Sequence, residues 1–370
     1  MKCGYVPALV LLVLCQICTG PGRANQIEAN LGTISDPASA AISGVRDGSF
    51  IAVPIPFSNP TVGSGLVLGA GYLFTSNGAT KPSGLGFGAL RSDNGSEAYG
   101  GALNFASADN RWLFASFFGT ANVNYDLYTG LGKLPIRQKG NLARLSLAYG
   151  VTPQLSFGGA LSYLESSLSL NRTGGPALPA FLDRDRELKL MKFGLTAQFD
   201  RRDDSLYPTQ GTDLYFEASH GWTVQGISRR YDKAVATFDM YTPLGSAGVL
   251  AGRLAGCATS QETPFFDQCS LGGTDAFRGF SSTEYLADRL VSAQVEYRRT
   301  MTKRLGAVMF AGIGWTGDSL ATLHDAGRHS AAGIGVRYRV STKYPVDLSI
   351  DGSINDQGDE LLNVYVGQRF

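Results

Sequence analysis

The sequence predicts an all-β fold, a transmembrane antiparallel β-barrel of about 16 strands. Three observations support this prediction. Segments of alternating apolar and polar residues recur from about residue 63 to the end of the chain. No run of about 18 apolar residues follows residue 24, so spanning helices are not expected. Glycine is frequent, with 47 residues, while only 17% of the residues are charged, which suits bent and closely packed strands.

The N-terminus has the pattern of a secretory signal peptide. A lysine precedes an apolar run at 6–18, which is short for a membrane-spanning helix. Small residues at the end of 1–24 suit a signal peptidase, so we expect this segment to be removed after export; a membrane anchor is the alternative. Residues 25–49 are polar and unpatterned, and we interpret them as a flexible or plug-like lead segment. The outer-membrane β-barrel is then expected at 50–370.

The predicted strands have one apolar and one polar face. The alternation is clearest in 155–163, 291–298 and 346–351. Because successive side chains of a strand point to opposite sides, we expect the apolar face to meet lipid and the polar face to line the lumen. Four aromatic residues near segment ends fit interfacial girdles: Tyr163, Tyr297, Trp315 and Tyr338. A soluble β protein would also alternate, but here the segments continue to the chain end without helices to cover a sheet.

Counting the alternating segments gives 15 candidate strands. They lie near 63–74, 83–91, 96–106, 111–119, 140–149, 155–168, 189–200, 211–221, 231–242, 247–257, 287–299, 304–316, 331–340, 345–354 and 361–370. Bacterial barrels have an even number of strands, so we expect a sixteenth at either 50–57 or 121–131. Loop length predicts that 171–188 and 258–286 are external. The turns at 150–154, 201–210 and 243–246 are then periplasmic.

Two cysteines remain after the predicted signal peptide. Cys257 and Cys269 lie close in sequence, and an oxidising compartment favours one disulfide between them. Two free thiols are the alternative.

Several other patterns point away from enzymes and nucleic-acid binding. The net charge of +1 gives no electrostatic reason to expect a nucleic-acid partner. The GxGxxG match at 312–317 falls within a predicted strand, whereas a dinucleotide site needs a helix that begins at the glycines. The histidines, His220, His324 and His329, have no serine or acid at a telling spacing. We expect no catalytic site, no cofactor and no metal ion, although an outer-membrane enzyme stays a third hypothesis.

Four stretches resemble the barrel of the BamA/TamA-type outer-membrane assembly-factor superfamily, also called bacterial surface antigen proteins. The likeness is specific over about 195–370. The stretches are Phe199–Asp203 with Tyr207–Gly211, Pro264–Phe266 with Leu271–Gly273 and Phe277–Phe280, Gly333–Arg337 with Pro345–Asp347, and Tyr365–Phe370. The resemblance implies 16 strands and a long loop that folds into the lumen.

The resemblance also implies roles for individual residues. Arg278, Gly279 and Phe280 match the family's loop tip, whose arginine reaches the lumen wall. The wall motif maps to Phe310, Gly312 and Gly314, but the acid that the family places in it is missing here. Because a buried arginine needs a partner, we expect another lumen-facing acid to replace it. The lumen-facing candidates are Glu296, Asp347 and Asp351.

Two further predictions concern the last strands. Arg337 and Arg339 are expected to face the lumen beside Asp347 and Asp351. We favour structural ion pairs across neighbouring strands over a role in ion selectivity. The resemblance implies that Tyr365, Val366, Gly367 and Phe370 belong to the terminal strand signal that assembly machinery recognises.

The resemblance implies insertion or translocation of proteins, or of lipids, at the Gram-negative outer membrane. Only 25–49 precedes the predicted barrel, so we expect the stand-alone branch without polypeptide-transport-associated domains. Expected partners are outer-membrane lipid, lipopolysaccharide and unfolded outer-membrane or secreted proteins, with a monomeric barrel. A passive channel or structural barrel is the alternative.

Overall fold

The computed structural model describes residues 45–370 except for 80, 130–131, 172–178, 206, 322, 324–326 and 342–345. The predicted signal peptide and most of the lead segment 25–49 lie outside the described residues, as do His324 and Pro345. The first strand begins at Val45, inside the bounds given to the lead segment.

Sixteen strands form one closed barrel, and each pairs antiparallel with its neighbours, which confirms the predicted fold and strand number. The barrel strands are β1 (Val45–Asn59), β2 (Gly63–Ser76), β3 (Ser83–Ser92), β4 (Glu97–Ala106), β5 (Trp112–Thr129), β6 (Gly132–Gly150), β7 (Leu155–Leu170), β8 (Glu187–Asp200), β9 (Gly211–Gln225), β10 (Arg230–Leu244), β11 (Gly248–Thr259), β14 (Arg289–Thr300), β15 (Leu305–Gly317), β16 (Arg328–Ser341), β17 (Val346–Asn355) and β18 (Glu360–Val366). The remaining two, β12 (Cys269–Ser270) and β13 (Leu286–Ala287), pair with each other inside the long loop.

Few described residues are helical. One turn of α-helix spans Ala180–Asp183, and short 3-10 turns span Ala108–Asn110 and Phe265–Asp267. Among the described residues, no helix has the length and apolar character needed to cross a membrane.

The sixteenth strand lies at 50–57, within β1. The other candidate, 121–131, was wrong as a separate strand, because it continues β5 without interruption to Thr129. At about 3.3 Å per residue, β5 is roughly 60 Å long, far more than a bilayer needs. β5 and β6 therefore project beyond the membrane on the side of the long loops.

The two faces of the strands follow the predicted alternation. Alternate side chains point outward and many of them are large and apolar, including Leu145, Leu147, Phe157, Leu161, Phe193, Leu195, Val291, Val295, Ile334 and Val336. The intervening residues are buried and often polar, as in Ser292, Gln294 and Glu296 of β14. An outward apolar band with a polar interior is the pattern of a barrel whose solvent is lipid.

The junction between β1 and β18 is the weakest in the barrel. Among the described residues these strands share one paired position, Ser58 with Val364. In that register, residues 366–370 would face 52–56 of β1. This part of β1 contains Pro54 and Pro56, which have no N–H group to donate to a neighbouring strand. β18 ends at Val366, so the lower part of β1 has no partner from β18 in this register.

The external ends of β5 to β10 enclose an apolar cluster. It contains Val62, Ala121, Val123, Tyr125, Leu127, Ile136, Leu168, Leu182, Leu188, Leu190, Tyr231 and Phe266. Leu182 comes from the α-helical turn and Phe266 from the long loop, so both connections predicted to be external pack on this cluster.

Candidate functional site

The loop between β11 and β14, residues 260–288, folds into the lumen and carries the site. Gly272 and Gly279 have φ values of 79° and 117°, which other residues rarely adopt, so each glycine permits a turn in the loop. A Cβ atom at Gly279 would also collide with Ala331 of the wall. The loop tip therefore lies against the wall with Arg278 almost completely buried, 2% exposed.

Arg278 makes two ion pairs in the lumen. Its Nη1 donates to Oε2 of Glu296 on β14 at 2.5 Å and to Oδ2 of Asp351 on β17 at 2.9 Å. Its guanidinium also lies over the ring of Phe310, 3.6 Å from the ring centre. Two acids on other strands of the wall, β14 and β17, thus take the place of the acid that the wall motif lacks.

The same two acids bind further arginines. Arg298 donates to Glu296 at 2.6 Å, and Arg337 donates to Asp351 at 2.5 Å. Together the five residues join the loop, β14, β16 and β17 in one network, which we call the loop-tip clamp (Arg278, Glu296, Arg298, Arg337 and Asp351). Buried charges are stable only when paired and hydrogen-bonded, so each member depends on the others.

Two glycines of β15 make room for the loop. A Cβ atom at Gly312 would lie 2.6 Å from the ring of Phe277, and one at Gly314 would lie 2.6 Å from Leu271. The GxGxxG match therefore lies in a strand, and its first two glycines let the loop approach the wall. Phe280 packs beside Phe277, with 5.6 Å between the ring centres.

Asp347, the third candidate partner, does not contact Arg278 in this structure. It accepts from Arg339 at 2.9 Å and from Gln368 at 2.8 Å. Arg339 and Asp347 are directly opposite on β16 and β17. Alternation placed Asp347 correctly on the lumen face, but the nearer arginine on the adjacent strand occupies it.

A disulfide and a buried aspartate also attach the loop to the barrel wall. A disulfide joins Cys257 at the end of β11 to Cys269 in the loop, with the Cα atoms 5.7 Å apart. Asp267 accepts from Lys192 at 2.9 Å and from Lys233 at 3.0 Å. Burial raises the pKa of Asp267, but the two lysine charges more than offset this effect, so its pKa lies below the usual aspartate value.

The expected terminal strand signal is divided between two places. Tyr365 and Val366 lie in β18, and the Tyr365 hydroxyl donates to Asp351 at 2.6 Å. Gly367 and Phe370 lie beyond the strand, so the prediction of a strand over 361–370 was wrong in its last four residues. Gly367 has a φ of 88°, which turns the chain out of the barrel wall.

Sequence reasoning missed Arg298 and Asp267 as site residues. Alternation with Glu296 did place Arg298 in the lumen, and that signal could have identified it. No comparable signal marks Asp267, because its lysine partners are distant in sequence. Of the described histidines, His220 contacts Asp232 at 2.8 Å on an exposed rim, whereas His329 packs against Tyr285 and Phe280 of the loop. Within the described ranges, no group of three or more His, Cys, Asp or Glu residues is arranged to hold a metal ion.

Solved structures share the architecture. BamA from Haemophilus ducreyi lacking POTRA domains 1–3 matches with a TM-score of 0.56 and 17% identity, covering 87% of this chain and 69% of that one. CdiB from Acinetobacter baumannii matches at 0.57 and 14%, covering 88% and 60%. CdiB from Escherichia coli matches at 0.58 and 13%, covering 96% and 73%. At these identities the likeness concerns the fold.

The family assignment comes from the sequence. A search among curated proteins gave no match. The Omp85 superfamily domain matches residues 89–370, which begin in β3 and include every later strand and the whole loop-tip clamp. The chain belongs to the Omp85 superfamily of outer-membrane β-barrel proteins.

Proposed function

We propose that this barrel assists the insertion or translocation of proteins, or of lipids, at the Gram-negative outer membrane. The observation that carries the proposal is the junction of β1 and β18, which has one paired position among the described residues, Ser58 with Val364. Elsewhere in the wall the pairing is long; in β5, for example, every residue from Trp112 to Thr129 has a partner in β6.

A short junction supports this function for a physical reason. Backbone groups in a bilayer must find hydrogen-bond partners within protein, so barrels normally close without free edges. Parting β1 from β18 breaks the fewest backbone pairs of any junction, and it exposes the edge of β1. An extended client segment can pair with that edge while it moves toward the lipid. This mechanism requires membrane lipid on the outer face and unfolded client proteins as partners. It also requires that the barrel is monomeric.

The main alternative is a passive channel or a structural barrel. The buried loop and its clamp oppose a wide open channel, because Arg278, Phe277 and Phe280 occupy the lumen. A structural barrel has no need of a junction that opens, so it should tolerate a permanent closure of β1 to β18. An enzyme would tolerate it as well.

Locking the junction separates these possibilities. Ser58→Cys with Val364→Cys places a disulfide across the junction, and Leu68→Cys with Ala89→Cys places one across the fully paired β2 and β3. Liposomes containing each barrel, or none, receive an unfolded outer-membrane protein, and its insertion rate is measured. We expect faster insertion than in empty liposomes for the wild type and the control lock, and no acceleration for the locked junction until a reductant is added. Equal rates in empty and wild-type liposomes would reject the proposal.

A further inference from the structure

The outward face of β5 to β8 changes from apolar to polar between two adjacent rows of side chains. The lower row consists of paired neighbours on successive strands, namely Phe118, Ala143, Tyr163 and Met191. The upper row, two residues further toward the external ends, consists of Thr120, Asn141, Glu165 and Lys189. A barrel in a membrane has an outward apolar band of limited height, so this change marks the level at which the wall leaves the hydrocarbon.

Side-chain bonds connect the members of the upper row across the four strands. Thr120 Oγ1 donates to Asn141 Oδ1 at 2.7 Å, and the Asn141 amide donates to Glu165 at 3.0 Å. Lys189 forms an ion pair with the same Glu165 at 3.3 Å. The one acid in this row therefore faces one cation, and the row as a whole carries no net charge.

Two cations follow on β6 above the upper row. Lys139 and Arg137 point outward, because they alternate with Gln138 and Ile136, whose side chains are buried on the inner face. At about 3.3 Å per residue along a tilted strand, they lie roughly 5 and 10 Å above Asn141. Lipid headgroups begin at the edge of the hydrocarbon layer, so both cations lie at the level of the outer-leaflet headgroups.

Arg137 is oriented by neutral groups and has no acid partner among the described residues. Its Nε donates to Asn124 Oδ1 at 3.0 Å, and its Nη2 donates to Asn171 Oδ1 at 2.9 Å. The two amides fix the plane of the guanidinium without neutralising its charge. A guanidinium held in this way is prepared to bind an anion, because less side-chain freedom is lost when the anion arrives.

Lys139 also lacks a charged partner in the described part of the chain. The residues directly opposite it are Asn122 on β5 and Ser167 on β7. Their amide and hydroxyl groups can donate to an oxygen-rich ligand, whereas an acid in either position would repel an anion. The next outward acid in this row, Glu187, lies on the far side of Ser167. We call Asn122, Arg137, Lys139 and Ser167 the β6 patch.

We propose that the β6 patch binds lipid A, the phosphorylated disaccharide headgroup of lipopolysaccharide with its acyl chains. Arg137 and Lys139 bind a phosphate through charged hydrogen bonds, while Asn122 and Ser167 bind sugar hydroxyls. The acyl chains then lie against the apolar row below. A glycerophospholipid has no phosphorylated sugar and free phosphate has no acyl chains, so neither matches all three features. This inference does not rest on the insertion activity proposed above.

Removing the two charges of the patch tests the inference. The patch variant, Arg137→Gln with Lys139→Gln, retains polar side chains but removes two positive charges. The matched control, Lys303→Gln with Arg304→Gln, removes the same charge from the exposed periplasmic turn between β14 and β15. Heat-modifiable gel migration confirms that each full-length barrel is folded.

The measurement is the affinity of each barrel, in neutral detergent micelles, for diphosphorylated lipid A, determined by native mass spectrometry. We expect the patch variant to bind roughly tenfold more weakly than the wild type, the factor that 1.4 kcal/mol of lost binding gives. The control should bind as tightly as the wild type. Equal affinities of all three barrels, or the same loss in the control, would overturn the inference.

Three further probes identify the ligand. Dephosphorylated lipid A should bind the wild type as weakly as intact lipid A binds the patch variant. Phosphatidylglycerol should bind the wild type roughly tenfold more weakly than lipid A does, and an excess of inorganic phosphate should not displace lipid A. Equal affinity for phosphatidylglycerol would indicate a site for any anionic lipid, and displacement by phosphate a site for the free anion. Either result would reject lipid A as the ligand.

A second measurement determines the level of the patch in the bilayer. Lys139→Cys and Ala143→Cys each carry a fluorophore in full-length barrels in liposomes, since Cys257 and Cys269 are joined in a disulfide. We expect a nitroxide on the lipid acyl chain to quench the fluorophore at 143 more strongly, and a nitroxide on the headgroup to quench the one at 139 more strongly. A fluorophore at 139 that the headgroup nitroxide does not quench would place the patch out of reach of lipid and overturn the inference.

Discussion

The external and periplasmic halves of the lumen are filled by different chemistry. The external half holds the apolar cluster, in which residues such as Leu190 and Phe266 pack without specific polar bonds. Further down, the loop tip is held by the clamp of Arg278, Glu296 and Asp351 with its neighbours. Apolar packing is non-directional and tolerates small shifts, whereas a buried ion pair requires one geometry. We infer that the cluster stabilises the loop and that the clamp fixes its position.

We expect the largest loss of stability from a substitution that breaks the loop-tip clamp. Arg278→Ala leaves Glu296 and Asp351 as buried acids with one partner fewer, which should lower the free energy of unfolding by about 4 kcal/mol. Urea unfolding of the barrel in detergent measures this change. Arg184→Ala removes an arginine from an exposed pair and is the control. A loss as small as that of the control would mean that the clamp adds no stability.

The next effect weakens the apolar cluster. Leu190 is 2% exposed, so Leu190→Ala should cost about 3 kcal/mol through lost packing and the cavity that remains. Leu195→Ala changes a lipid-facing residue on the same strand and should cost less.

Proteolysis of the loop compares the role of the clamp with that of the apolar cluster more directly. We expect Arg278→Ala to expose the loop tip to protease more than Leu190→Ala does, and the opposite order would refute the division of roles.

We expect an intermediate loss of stability from a change at Asp267, which forms ion pairs with Lys192 and Lys233. Asp267→Asn should cost about 2 kcal/mol near neutral pH, because the charged bonds to Lys192 and Lys233 weaken. The pKa of Asp267 is lowered in the folded barrel, so its contribution is complete above the unfolded pKa of about 3.9 and is lost as pH falls through the folded value. The difference between wild type and variant should therefore shrink on acidification. A difference that stays constant with pH would contradict the assignment.

The smallest effect is expected at the outer rim. Glu262 and Arg184 form a pair at 3.0 Å in which both side chains are about half exposed. Glu262→Gln should change the free energy of unfolding by less than about 1 kcal/mol, and added salt should abolish the change. A larger effect would show that the rim also positions the loop.

Alternation predicted the fold and the face of most side chains, but not which residues meet across the lumen. Glu296, Asp347 and Asp351 were all placed on the inner face, yet only two of them contact Arg278. A period of two residues indicates which side of the barrel wall each side chain faces. It carries no information about strand order, or about how far a loop reaches into the barrel.

Strand ends were the least predictable feature. Asn122 and Asn124 resemble turn residues, but β5 passes through both, and Asn124 bonds to the Asn94 carbonyl at 2.9 Å. At the other end of the chain, Arg369 and Phe370 continue the polar and apolar alternation of β18, yet Gly367 ends the strand. The positive φ of Gly367 ends the strand although the alternation continues. The chain then turns inward, where the Phe370 ring is buried.

The loop-tip clamp also has a consequence for the order of assembly. Two of its pairs are local in sequence, because Glu296 and Arg298 share β14, while Arg337 and Asp351 share the hairpin of β16 and β17. Arg278 is the member without a local partner, since both acids that it contacts lie on the barrel wall. A loop tip that entered the interior before β14 and β17 were in place would bury an unpaired arginine. Docking of the loop tip should therefore follow, not precede, the arrival of the wall strands.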